Sequence, residues 1–287
     1  MPFLKRPCGT QIYYEIKGKG SIPILLLAPG GMRSSIKKWE MSPYNPWTAL
    51  SPDKFKVIGM DQRFANVPRT TGGSVKATDG WDTFLADQVA LLDHLKIKQC
   101  HLVGSCIGPS YAFNLLKHYP QRFGRCVMLQ PIGLAHHTTE PIGWYVMNVD
   151  ATWSWVGDWG HERIASKLYP GEEMFPDLKG LHDRMFQNGN DFVFSISKDE
   201  ATKIQTPLLV FMGRDKNHPA ETARQICRLC PNAELVETWR DAGDGPLAEA
   251  ANRIDQFLSV DLSKLEQADN SSSKVPAAKR RRKNALP

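Results

Sequence analysis

The sequence predicts an α/β protein in which helices cover both faces of a mostly parallel sheet. Short apolar runs of strand length alternate along the chain with segments whose apolar residues recur at helical spacing. The 287 residues, 41% of them hydrophobic, suffice for one large core. We therefore expect one folded domain over residues 1–260 and a disordered basic tail over residues 261–287.

The predicted elements follow one another in a regular order. An antiparallel strand is expected at 10–16, and further strands at 22–27, 55–60, 100–103, 125–130, 206–212 and 233–238. Helices are expected at 81–95, 109–118 and 247–258. The alternation breaks down at about 132–203, where a segment rich in Trp, Gly and Pro holds four of the eight Trp. Its position between two late strands predicts an inserted lid.

The positive charge of the chain is concentrated at its C-terminal end. Residues 269–287 contain six basic residues and one acid, a net +5 of the total +6, so the folded part is nearly neutral. The basic pentad at 279–283 is typical of a nuclear localisation signal read by an import receptor, of a nonspecific polyanion contact, or of a solubilising tail. The folded part gives no sign of specific nucleic-acid recognition.

The remaining composition predicts a cytoplasmic protein, or a nuclear one if the tail is recognised. No run approaches the roughly 18 apolar residues of a membrane span, and the N-terminus lacks the apolar centre of a signal peptide. The six Cys are scattered, which is unlike a disulfide framework. Cys227 and Cys230 have the spacing of half a metal site without a second pair, so we expect neither metal nor cofactor.

One motif predicts nucleophilic catalysis. Gly104-Ser105-Cys106-Ile107-Gly108 follows a predicted strand and precedes a predicted helix. The strand-to-helix turn of a nucleophile elbow is so tight that small residues are needed two positions before and after the nucleophile. Cys106 would then stand at a helix N-terminus, which favours a thiolate. The alternative is that Cys106 is a small buried apolar residue in a decayed site.

Acyl transfer also requires two N–H donors for the oxyanion that forms. One is expected from Ile107, the residue after the nucleophile, and the other from Gly31 in the turn after an earlier strand. A merely tight turn would require the same glycine.

The predicted acid and base come late in the chain. Asp215 directly follows a strand and is the expected orienting carboxylate. The base would usually be a histidine after the last strand, but that loop has none and Asp244 lies near the position. His218, three residues after Asp215, is the candidate base, with a packing role before a helix as the alternative. His136 and His137 in the lid are further candidates.

These segments resemble the α/β-hydrolase superfamily, and in particular its members with a cysteine at the elbow, such as dienelactone hydrolases. The segments that carry the resemblance lie at 25–32, 60–63, 104–111 and 213–219. The resemblance implies an eight-stranded, mostly parallel sheet with a lid. It also implies that Asp61 and Arg63 form a buried pair that holds loops below the site. The histidine of dienelactone hydrolases after the last strand has no counterpart here.

The resulting hypothesis is a cysteine-dependent hydrolase of an ester, lactone or thioester that works through a thioester acyl-enzyme. The tryptophans of the lid favour a small apolar or aromatic acyl group as substrate. Two alternatives stay open at this point. The protein could be a catalytically silent ligand-binding member of the fold, or an acyltransferase that passes the same acyl group to an alcohol.

Overall fold

The computed structural model describes residues 2–65, 76–133, 175–189, 192–215, 217–240 and 244–262. Most of the predicted lid, with its four tryptophans and with His136 and His137, lies outside the described residues. So does the tail that contains the basic pentad. Asp244 is described through its backbone alone.

The centre of the molecule is one sheet of eight strands, ordered β1-β2-β4-β3-β5-β6-β7-β8. β1 and β2 form an antiparallel pair, β2 also runs antiparallel to β4, and every other neighbouring pair is parallel. The predicted mostly parallel, eight-stranded sheet is therefore confirmed. The strands are β1 (Phe3–Lys5), β2 (Gln11–Lys17), β3 (Ile22–Leu27), β4 (Phe55–Met60), β5 (Cys100–Ser105), β6 (Phe123–Leu129), β7 (Leu208–Phe211) and β8 (Ala233–Val236).

Helices lie on both faces of this sheet, as predicted. Those in the described ranges are α1 (Pro46–Ala49), α2 (Trp81–His94), α3 (Gly108–His118), α4 (Phe175–Phe186), α5 (Lys198–Ala201), α6 (Ala220–Leu229) and α7 (Asp244–Leu258). Short 3-10 turns occur at Gly31–Arg33, Ile36–Met41 and Pro120–Arg122. Leu178 and Leu181 of α4 lie in the part of the chain assigned to the lid and are fully buried.

The strands are apolar on both sides because both sides are covered. In β3, Leu25 and Leu27 belong to the core under α2, α3 and α6, whereas Ile24 and Leu26 belong to the core under α7. All four side chains are fully buried. A parallel strand buried on both faces has no polar face, which explains the unbroken apolar runs in the sequence.

A buried ion cluster ties the antiparallel edge of the sheet to α2. Both carboxylate oxygens of Asp87 accept hydrogen bonds from Arg63, at 2.5 and 2.6 Å, and one also accepts a bond from Arg6 at 2.8 Å. Asp61 instead accepts the Ile36 amide at 2.8 Å. The predicted pairing of Arg63 with Asp61 is thus wrong, because the α2 carboxylate is the one that lies opposite the guanidinium.

Within the ranges given above, none of the helices combines the length and the hydropathy that crossing a bilayer requires.

Candidate active site

Cys106 lies at the turn between β5 and α3. Its backbone has φ +61°, in the left-handed region that non-glycine residues rarely adopt. The turn is held in place from β6, because the Cys106 amide donates to the Leu129 carbonyl at 3.0 Å and the Cys106 carbonyl accepts the Ile132 amide at 3.2 Å. Such a strained and well-supported residue is typical of a nucleophile elbow.

The flanking glycines are required by close backbone approach. A Cβ at Gly104 would stand 2.6 Å from the carbonyl carbon of Gly108, and one at Gly108 would stand 2.2 Å from the Leu27 carbonyl oxygen. Ser105, one place before the cysteine, turns to the other side and its Oγ lies 3.4 Å from Oγ of Ser42. The elbow therefore presents Cys106 and not the neighbouring serine.

Asp215 and His218 are held together just after β7. Their backbones form a bridge in which the His218 amide donates to the Asp215 carbonyl at 3.0 Å. Nδ1 of His218 lies 2.7 and 2.9 Å from the two carboxylate oxygens of Asp215. Gly213 makes this turn possible, since a Cβ there would stand 2.4 Å from Cβ of His218. The carboxylate therefore fixes the orientation of the imidazole, with Nδ1–H directed at the acid.

The opposite nitrogen of the ring is directed at the elbow. Nε2 of His218 is buried, and the ring acts on the Cys106 thiol both through its charge and through a hydrogen bond. Burial by itself raises the pKa of the Cys106 thiol. The positive charge of His218, a hydrogen bond from its ring and the backbone amides of Gly30 and Ile107 together outweigh burial, so this pKa is lowered.

The pKa values of His218 and Asp215 are shifted in the directions that such an ion pair requires. Burial disfavours the charged His218 ring, but the charge of Cys106 and the hydrogen bond to Asp215 raise the pKa of His218 to about 9. Burial likewise raises the pKa of Asp215, whereas the His218 ring, the Asn217 amide and Arg240 lower it further than burial raises it. The arrangement favours a thiolate beside an imidazolium, with an ionised carboxylate behind the ring.

The amides that act on the sulfur are those of Gly30 and Ile107. The sequence predicted Ile107 and Gly31 as donors, and Gly31 is the residue directly after Gly30. Gly30 and Gly31 both adopt positive φ, +115° and +55°, so the chain turns sharply between them. Of these two successive amides, that of Gly30 acts on the Cys106 thiol.

Arg240 was not foreseen from the sequence. It follows β8, in the part of the chain where the histidine of this fold usually stands. One guanidinium nitrogen donates to Oδ2 of Asp215 at 3.2 Å, and another donates to the side-chain oxygen of Gln130, just after β6. In the sequence Arg240 is only a basic residue in the loop after the last predicted strand. That signal is too weak to indicate a contact with Asp215.

Most of the site residues predicted from the sequence lie close together in the structure. The structure brings Cys106, His218, Asp215 and the Ile107 amide together, although these residues lie in segments more than 100 positions apart. It does so at the carboxyl ends of β5 and β7, the edge of an α/β sheet at which sites of this kind form.

Comparison with known proteins defines the class. A sequence model described as the alpha/beta hydrolase fold matches residues 23–171, just over half of the chain. The protein therefore belongs to the α/β-hydrolase fold family.

Solved structures agree with this assignment. The chain is similar to a variant of a meta-cleavage product hydrolase, with 17% identity and a TM-score of 0.62 over 89% of this chain and 97% of that one. It is similar to an enol-lactonase from Burkholderia xenovorans LB400, with 18% identity and a TM-score of 0.60 over 90% and 100%. A hydrolase from Pseudomonas aeruginosa PA01 has 19% identity and a TM-score of 0.60 over 90% and 98%. Likeness at this identity shows the fold, and the family assignment together with these neighbours supports a hydrolase.

Proposed function

We propose that the protein is a cysteine-dependent hydrolase that cleaves an ester, lactone or thioester through a thioester acyl-enzyme. Cys106 is the nucleophile, His218 the base and acid, and Asp215 the orienting carboxylate. One observation carries the proposal. The imidazole of His218 is held by Asp215 at 2.7 Å through Nδ1, while its other nitrogen is buried next to the thiol whose pKa it lowers.

Acylation begins from the thiolate–imidazolium pair. The sulfur of Cys106 attacks the carbonyl carbon of the substrate, a C–S bond forms, and the carbonyl π electrons move to the oxygen. The oxyanion would be held by the N–H group of Ile107 and by one from the Gly30-Gly31 turn, in which Gly31 is the donor that the sequence predicts and Gly30 the one that acts on the sulfur. The intermediate then collapses, and the leaving alkoxide or thiolate takes the proton from Nε2 of His218.

Deacylation uses the same groups in the reverse direction. Neutral His218 accepts a proton from water, whose oxygen attacks the thioester carbon. The second tetrahedral intermediate expels the Cys106 thiolate, which is again paired with imidazolium. The products are a carboxylic acid and the regenerated enzyme.

A small apolar or aromatic acyl group is the proposed substrate, on the basis of the tryptophan content of residues 132–203. The fold neighbours include an enol-lactonase and a meta-cleavage product hydrolase. An aryl-substituted enol lactone and activated aryl esters therefore belong in the first substrate panel. The cysteine at the elbow is the feature shared with dienelactone hydrolases, so lactones take first place in that panel.

The deciding experiment is intact-mass spectrometry after exposure of the full chain to this panel. We expect a mass increase of one acyl group, its localisation to Cys106 by peptide mapping, and its loss after incubation in buffer. Cys106→Ala should show no adduct, and Cys126→Ala, which changes a buried thiol of the core, should behave like the wild type.

The same experiment separates the alternatives. Saturable stabilisation by ligands without any adduct and without turnover of the panel would refute the hydrolase and indicate a silent ligand-binding protein. An adduct that is discharged to an added alcohol in preference to water would indicate an acyltransferase.

A further inference from the structure

A pocket whose lining includes none of Cys106, Asp215 and His218 lies at the start of α2. It has a volume of about 320 Å³ and is bounded by α2, α3, α4 and the segment after α4. Its polar lining includes Thr83, Asn114, Lys117, His118, Arg184 and Ser195.

Two side chains in this lining are buried without a partner. Asn114 is 3% exposed and Ser195 is 5% exposed. Nδ2 of Asn114 and Oγ of Ser195 make no hydrogen bond to any described residue. Because an unpaired buried donor is destabilising, nearly all such groups are hydrogen-bonded to protein, water or a bound molecule, and these two donors are available to a molecule in the pocket. Both of these groups can donate a hydrogen bond.

The N-terminus of α2 faces the same pocket. This helix has 14 residues, and its N-cap is Gly80, which has no side chain to cap the first-turn amides. The Thr83 amide donates to the Gly80 carbonyl at 3.0 Å, so it is not a donor for a ligand. The stem of Arg184 packs directly on this point, since a Cβ at Gly80 would stand 3.2 Å from Cβ of Arg184. Nε of Arg184 donates to the Ala77 carbonyl at 3.0 Å, which fixes the guanidinium next to the helix terminus.

The charges around the pocket leave Arg184 as its principal cation. Lys117 pairs with Glu200 at 2.8 Å, and His118 lies 3.9 Å from Asp82. Asp82 is the acid of the lining, but its side chain is 85% exposed and therefore largely solvated. The buried carboxylate of Asp79, which precedes the N-cap, is bound by the Thr83 hydroxyl at 3.2 Å and by the Lys76 amide at 2.8 Å. A pocket with a guanidinium, unpaired donors and a helix N-terminus is suited to an oxyanion.

We propose that this pocket binds a phosphate group, either as inorganic phosphate or as the monoester of a small organic molecule. Arg184 and the amides of Trp81 and Asp82 in the first turn of α2 neutralise the charge, and Asn114 and Ser195 donate hydrogen bonds to the oxygens. The site is independent of the acyl-transfer chemistry proposed for Cys106.

The test is isothermal titration of the full chain with inorganic phosphate and, in a second arm, with glycerol phosphate, at constant ionic strength set with chloride. We expect saturable binding in at least one arm. If the monoester binds more tightly than the free ion, the organic group contributes. Arg184→Gln should weaken binding at least about tenfold, because a charge-assisted hydrogen bond is lost. Ser195→Ala, which leaves the charge unchanged, should weaken it by a smaller factor.

Lys179→Gln is the matched control, because Lys179 is a solvent-exposed cation of α4 outside the lining and pairs with Asp183. It should bind like the wild type. All variants should keep the wild-type alkylation rate of Cys106, which shows that they are folded whether or not the protein is a hydrolase. Absence of saturable binding in both arms, or an equal loss in Lys179→Gln and Arg184→Gln, would overturn the proposal.

Discussion

Replacement of His218 by Asn should abolish the enhanced reactivity of Cys106 at neutral and mildly acidic pH. The substitution removes the positive charge that lowers the pKa of the thiol, while burial, which raises it, is unchanged. Cys106 in His218→Asn should therefore ionise only at a pH above that of an ordinary thiol. Asn is close to His in size and can still donate a hydrogen bond to the carboxylate of Asp215, so the local fold should be kept.

The size of the effect follows from the thiolate fraction. An ordinary thiol with pKa about 8.5 is about 1% ionised at pH 6.5. A Cys106 that is ionised at this pH offers up to about 100-fold more thiolate, although the weaker basicity of such a thiolate leaves a net acceleration on the order of tenfold. His218→Asn should lose at least this factor.

The assay is alkylation by iodoacetamide between pH 5 and pH 10, with the rate at Cys106 followed by peptide mass spectrometry. His94→Asn, which changes an exposed histidine at the end of α2, is the control and should match the wild type. Substrate turnover should also fall above about pH 9, where His218 loses the proton it must donate, while alkylation does not fall there. Equal profiles for the wild type and His218→Asn, both rising near pH 8.5 as for a free thiol, would refute the proposed thiolate–imidazolium pair.

Three further substitutions test the surroundings of the site and the core. Arg240→Gln should slow acylation about tenfold through loss of one charge-assisted hydrogen bond to Asp215, and no change in the single-turnover rate would contradict this role. Asp87→Asn should lower the free energy of unfolding in urea by about 3–5 kcal/mol, because two arginines lose a buried counter-charge, whereas Asp93→Asn, in an exposed pair, should cost at most about 1 kcal/mol. Ile254→Ala should cost about 2–5 kcal/mol, since its side chain is fully buried, and a loss well below this range would mean that the α7 side of the sheet repacks.

The general architecture was predictable because it depends on patterns that sequence shows directly. The run at 22–27 is apolar at every position, and the structure buries both faces of that strand. The elbow was predictable for a similar reason, since the approach of β5 to α3 excludes any side chain at Gly104. Both constraints act on residue type at a fixed position.

The individual contacts of the site depend on how backbone amides and side chains are oriented, and residue type alone does not determine this orientation. Two successive glycines with positive φ, Gly30 and Gly31, lie in the turn after β3, and the sequence, which indicated Gly31, did not show that the Gly30 amide acts on the Cys106 thiol. The sequence suggested Asp61 as the partner of Arg63 because it is close along the chain. The actual partner, Asp87, is brought to Arg63 by the packing of α2 against the sheet. Arg240 contacts Asp215 across 25 residues of sequence, which no local pattern encodes.

The position of His218 explains why a cation occupies the loop after β8. In the usual order of this fold the acid and base approach from two loops, and the acid orients the base across a gap. In the mechanism proposed for this protein both come from one tight turn, in which Asp215 and His218 are joined by backbone as well as side-chain bonds. In the proposed mechanism the loop after β8 transfers no proton, and its Arg240 holds the outer oxygen of the Asp215 carboxylate. A second histidine at that place would compete with His218 for Asp215, whereas a guanidinium keeps the acid ionised and leaves its inner oxygen to the imidazole.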